Sequence, residues 1–424
     1  MEHDKPQPED VGRSWRRRIA LAILVILALA LAVNFLCPTR EEELAAIDAA
    51  RAVADEDNAA WIYAKLLQGE EVPPTQSKLN AVLVPIMEAT TDPVSLHEYG
   101  MNDRRLVELE LPKGLLDPND EDLTLWMPWT SAKYRGLRQW LDMHRHRINR
   151  LMEAAAKPAC CYPLAPKPGR MGLFDVPLGA IRQYAHLLRR DANNDMAEGR
   201  TPAGLVKYRA IVSMGRHLET QPAAAHLSTG IACEAIGLHH LIEFVVTGPA
   251  TEEDLNALAI DNSDLLDQWR LLHRDISRVR SVFARALEDR RRPDFRLYQW
   301  YRSVRYGEDG WHADRVGELH HRVLCERRAI NVLVELRRFK NRTGRWPNGL
   351  NEIALSVDPL ALVDPQNGGP YVYQRNEEGF RLYSTGPNGN DENGRHAWNG
   401  PDDWPIWPRR GGPRLSKPED VNDV

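Results

Sequence analysis

The chain has 424 residues, 43% of them hydrophobic and 27% charged: enough apolar material for two or three domains with real cores, and too much for a disordered tail. A formal net charge of −5 and a pI near 6.3 exclude the strongly basic balance expected of a nucleic-acid-binding protein. The sequence carries no G-x-S-x-G, H-E-x-x-H, P-loop or dinucleotide fingerprint, so no familiar catalytic machinery is announced.

Residues 1–18 read as a short, polar cytoplasmic tail. Residues 19–37, IALAILVILALALAVNFLC, carry no charge and come close to the ~20 residues a helix needs to cross a hydrocarbon core. Arg13, Arg16, Arg17 and Arg18 precede this run and Glu41 to Glu43 follow it, so the positive-inside rule leaves the N-terminus in the cytoplasm and exports the rest. A cleaved signal peptide is the alternative, with Ala30-Leu31-Ala32 as its small-x-small site. The run exceeds the ~7 to 15 residues of a signal h-region, which favours an anchor. Both readings export the rest of the chain. Of the five cysteines, Cys37 lies at the membrane edge; in an oxidising compartment Cys160 or Cys161 is expected to bridge to Cys233.

Residues 38–165 read as a helical region. Leu44, Ile47, Ala50 and Ala54 recur at helical steps, and Asp57 or Asn58 offers an N-cap for a second helix through Leu66 and Leu67. Trp126 to Ala156 reads as one long helix with Trp129, Tyr134, Leu137, Leu141, Ile148 and Leu151 on its apolar stripe. Its other face carries His144, Arg145, His146 and Arg147, a cluster expected to be solvated.

Residues 166–317 read as helical hairpins. One helix carries Ile181, Ala185, Leu188 and Ala192, a Glu198-Gly199-Arg200-Thr201-Pro202 turn stops it, and the next carries Leu205, Tyr208, Ile211 and Leu218. This hairpin resembles a single tetratricopeptide-type repeat. A third helix spans Leu227 to Val246, and helical pattern continues from Thr251 to Arg292. The pairs His239-His240 and His320-His321 are not expected to chelate a metal, because adjacent helical residues point ~100° apart.

Residues 318–407 combine a long helix, Glu318 to Thr343, stopped by Gly344, with a hairpin of Tyr371-Val372-Tyr373 and Phe380 to Ser384. Gly344-Arg345-Trp346-Pro347, the Asp364-Pro365 turn with Pro370 to Tyr373, and Leu382-Tyr383-Ser384-Thr385-Gly386-Pro387-Asn388-Gly389 followed by Asp402-Asp403 complete a set of motifs. This last quarter of the chain resembles the globular domain of the major pseudopilins of type II secretion systems. The resemblance implies a structural calcium ion in the loop after the last strand, held here by Ser384, Asp391, Asp402 and Asp403 with backbone oxygens. The chain departs from that family in two ways: about 280 residues separate anchor and long helix, and the family's Asp-Gly is Asn388-Gly389 here. Anchor, helical middle and pseudopilin-like end together resemble a group of bacterial single-pass membrane proteins. Residues 408–424 lack periodicity and read as a disordered tail.

The expected fold is therefore mainly α, with a transmembrane helix, a helical-hairpin middle and a small α+β C-terminal unit. The expected function is that of a noncatalytic, membrane-anchored envelope scaffold or assembly protein that binds a protein or peptide partner, because stacked hairpins present concave surfaces. An envelope hydrolase or carbohydrate-modifying enzyme is the alternative, its tryptophans and acidic residues lining a sugar groove.

Overall fold

A computed structural model describes residues 40–68, 109, 111–164, 178–279, 310–377, 379–396 and 402–409. The expected anchor at 19–37 and the tail beyond 409 lie outside the described residues. The described residues are mainly helical, with one small antiparallel sheet of three strands.

Helices α1 (Arg40–Ala50) and α2 (Ala59–Gln68) open the described chain. Asn58 caps α2: its Oδ1 accepts from the Ala60 amide at 3.1 Å and the Cys161 amide at 2.9 Å, and its Nδ2 donates to the Cys161 carbonyl at 3.0 Å. One buried amide thus starts a helix and ties it to a segment far along the chain.

The stretch expected as one helix from Trp126 to Ala156 holds two, and another helix ends where it begins. Helix α3 (Pro118–Trp126) begins on an Asp117 cap, α4 spans Arg135–Met143, and α5 spans Arg145–Ala155. Pro128 lacks the amide that a continuing helix needs, and His144 turns the chain between α4 and α5. The breaks re-aim the basic cluster. Arg145 donates to the fully buried Asp191 at 2.9 and 3.1 Å, and Arg147 is buried with its guanidinium 2.8 Å from His144 Nδ1, whereas His146 is exposed as expected.

Helix α6 (Leu178–Ala197) ends at Gly199, whose φ of +74° is the left-handed conformation of a C-terminal stop. Helix α7 (Thr201–Glu219) follows with a proline in its first turn, as the sequence pattern requires. Helix α8 (Ala224–Thr247) packs against α6, α7 and the long α11 (Gly310–Thr343). Among the described residues α8 alone is long and apolar enough to cross a membrane, but most of it is buried within the helical stack, where apolar residues on every side serve as core. A Cβ on Gly215 of α7 would lie 2.6 Å from the Glu234 amide nitrogen and the Gly230 carbonyl of α8, so the two backbones meet where only glycine fits. The short α9 (Glu252–Asn256) and α10 (Leu266–Val279) complete this part.

Gly344, at φ +78°, stops α11. Strands β1 (Val372–Arg375), β2 (Phe380–Ser384) and β3 (Trp404–Trp407) pair in the order β1-β2-β3. The sequence predicts the β1–β2 hairpin and misses β3, a four-residue strand containing Pro405 and no polar alternation. Phe380, Leu382 and Ile406 turn inward, and the Tyr371 hydroxyl donates to the Cys325 carbonyl of α11 at 3.2 Å. The hydrophobic core is continuous from α2 through α11 to this sheet.

The expected disulfide does not form: Cys160, Cys161, Cys233 and Cys325 are all free. Cys160 and Cys233 are each fully buried, packing as small hydrophobes.

Candidate metal centre

The loop between β2 and β3 contains little apolar material and is held by backbone turns. Gly386, Gly389, Asn393 and Gly394 all take positive φ, between 61° and 68°. Gly386 is required by contact as well as conformation, since a Cβ there would lie 2.6 Å from the Asp402 carbonyl oxygen.

These turns gather Glu392, Asp402 and Asp403, with one carboxylate oxygen from each within 4.8 Å of the others. Each carboxylate is fixed through one oxygen. Glu392 Oε1 accepts from Asn388 Nδ2 at 3.0 Å, Asp402 Oδ2 from the Asn388 amide at 3.3 Å, and Asp403 Oδ2 from the Gly394 amide at 2.7 Å. The other oxygens, Glu392 Oε2, Asp402 Oδ1 and Asp403 Oδ1, are buried without a hydrogen-bond partner. Burial pushes the Asp403 carboxyl up to about 6, and its neighbour Glu392 adds to the shift. The Asn388 side chain holds Glu392 below the usual carboxylate range.

Three close carboxylates repel one another and lack donors for three of their oxygens. A proton on Asp403 or a bound cation would relieve that repulsion. All-oxygen ligands suit a hard divalent cation such as calcium, which takes ~6 to 8 of them, leaving room for backbone carbonyls and water. The residues therefore fit the group that the resemblance implies.

Of the expected ligands, the structure brings together Asp402 and Asp403. Ser384 is fully buried, and its Oγ accepts from Gln366 Nε2 at 2.7 Å and the Gly386 amide at 3.0 Å. Asp391 Oδ1 accepts from the Tyr383 hydroxyl and the Asn393 amide, each at 2.8 Å. Both side chains brace the loop from outside the cluster. Glu392 takes the third place, one residue from Asp391, and a loop without periodicity offers no signal for choosing between the two. Asn388 donates to Asp402 from its backbone amide and to Glu392 from its side chain, and only the second bond would be lost with aspartate at that position.

The buried histidines are engaged elsewhere. His240 stacks on Tyr208 with centroids 4.7 Å apart and accepts from Arg189 Nε at 2.6 Å, while His320 Nε2 lies 3.0 Å from Asp264 Oδ1.

In comparisons with protein families, curated proteins and solved structures, nothing matches this chain.

Proposed function

We propose that this protein is a noncatalytic, membrane-anchored scaffold or assembly protein of the bacterial envelope. Residues 19–37 tether it to the inner membrane with the N-terminus cytoplasmic. The helical-hairpin stretch 166–317 offers a surface to an envelope protein or peptide, and the α+β end, 318–407, is pseudopilin-like and stabilised by calcium. The observation that supports the calcium part of this reading is the trio of partnerless carboxylate oxygens on Glu392, Asp402 and Asp403. The trio sits on a single loop between two neighbouring strands. An ion there would clamp the loop to the sheet, which is a structural use of a cation.

When bound, calcium supplies charge neutralisation and a rigid loop. The chain itself supplies orientation, through Asn388 and the Gly394 amide, and keeps Asp403 away from water. An ion that binds the folded state alone stabilises it, by about 2.7 kcal/mol at a hundred times Kd.

The test is thermal melting of full-length protein in detergent with millimolar calcium or chelator, beside Asp402→Ala. Calcium should raise the melting temperature of the wild type and not of the variant. Identical melting in calcium and chelator would overturn the calcium reading. Crosslinking in intact cells should recover envelope proteins; recovery of this chain alone would count against the scaffold role.

A further inference from the structure

Away from the acidic loop, a cavity of about 470 Å³ lies between α3, α6, α8 and the β3 end of the sheet. Trp126, Ile236, Trp404 and Pro405 form apolar walls, and Arg189 and Arg409 are among the lining residues. Its volume is within the range of small-molecule pockets, ~300 to 1,000 Å³.

Arg189 is the unusual group. It is 3% exposed, its Nε donates to His240 Nε2, and its guanidinium lies over the Trp126 ring, 4.3 Å from the centroid. Its Nη2 has no hydrogen-bond partner, and among the described residues no carboxylate forms an ion pair with it. A buried cation resting on a neutral imidazole and an indole face is expensive unless an anion joins it.

The other ionisable groups on the cavity do not supply that anion. Glu326 pairs with Arg409 and accepts from Trp404 Nε1 at 3.3 Å, so its charge is already used. Arg409 still has a buried Nη1 without a partner. His239 is pushed down to about 3 by burial and then by Arg409 and Arg189, which leaves it neutral, and His396 lies edge-on to Trp404. Among the described residues lining the cavity there are two guanidiniums and one carboxylate, an excess of one positive charge.

We propose that this cavity binds a monoanionic organic carboxylate, with the carboxylate against Arg189 and an apolar body against Trp126, Ile236 and Pro405. One carboxylate balances the single excess charge, whereas a phosphate dianion would overshoot it beside Glu326. A free aromatic acid and the C-terminal carboxylate of a peptide present the same chemistry, and they can be told apart with defined probes.

The experiment is calorimetric titration of full-length protein in detergent with benzoate, N-acetylphenylalanine and N-acetylphenylalaninamide. At least one acid should bind, and the amide should bind about 10- to 100-fold more weakly than its acid, as expected for loss of a charged hydrogen bond. Benzoate binding points to a free acid; binding of N-acetylphenylalanine alone points to a peptide terminus. Arg189→Met should bind neither acid while keeping or raising the melting temperature, because it removes an uncompensated buried charge. Should that variant not fold, Ile236→Trp fills the cavity, leaves Arg189 in place and should equally abolish binding. Failure of both acids to bind the wild type, equal binding of acid and amide, or full binding by Ile236→Trp would each overturn the proposal.

Discussion

Arg327 of α11, wholly buried, grips Glu234 of α8 at two points, Nε to Oε1 at 2.6 Å and Nη2 to Oε2 at 2.5 Å, and joins the last long helix to the helical stack. The same Nη2 donates to Glu219 Oε2 of α7 at 3.1 Å, so one guanidinium serves two buried carboxyl groups. Burial, then Glu234, push the Glu219 carboxyl well up, whereas Arg327 overcomes the effect of burial on Glu234 and holds it down. The charges balance with a proton on Glu219.

Glu219→Gln, which keeps the neutral shape, should therefore cost about 1 kcal/mol or less. Arg327→Met strands the Glu234 charge and should cost about 3 to 5 kcal/mol. Urea unfolding midpoints decide between these. Equal losses in the two variants would mean that Glu219 is ionised and the charge assignment fails.

Asp403 makes the acidic loop sensitive to pH. Burial raises its carboxyl from an ordinary 3.8 to about 6 in the folded protein. The shift is upward, so without calcium its stabilising contribution is full below the ordinary value and is lost as pH rises through about 6. Calcium competes for the same charge, so the calcium-induced rise in melting temperature should grow from about pH 5 to about pH 7.5. A rise independent of pH across that window would argue that Asp403 is not a ligand.

Gly215→Ala tests the approach of α7 to α8. The new methyl would sit 2.6 Å from backbone atoms of Gly230 and Glu234, which cannot move as a side-chain tip can. The expected loss is about 1 to 3 kcal/mol, an overpacking penalty that outweighs alanine's better helix propensity. A melting temperature at or above that of the wild type would show that the helices have slack there.

The thiols should remain unbridged. Burial pushes Cys233 up to about 12 and raises Cys160 and Cys325 well above the usual thiol range, so these three should resist alkylation in the native protein. Half-buried Cys161 should react first. Peptide mapping of non-reduced protein checks this, since a peptide linking Cys160 or Cys161 to Cys233 would contradict the packing of these cysteines as separate buried thiols.

Much of the local structure is legible in the sequence because local physics sets it. The turn at Gly199 to Pro202, the stop at Gly344 and the Asn58 cap depend on backbone conformation and on hydrogen bonds that residue type dictates. Helical periodicity places α6, α7, α8 and most of α11 for the same reason, and two of the three clustered carboxylates, Asp402 and Asp403, stand in the loop where the sequence puts them. Tertiary structure decides what depends on distant partners. The apparent helix from Trp126 breaks into separate pieces, and Arg145 turns toward Asp191, because an ion pair between segments far apart in sequence leaves no periodic trace. The third carboxylate, Glu392, and the buried cation of Arg189 beside the cavity are likewise set by how chain segments meet. Residue order alone determines which elements form, whereas the positions where charges are buried together follow from packing between segments that the sequence does not pair.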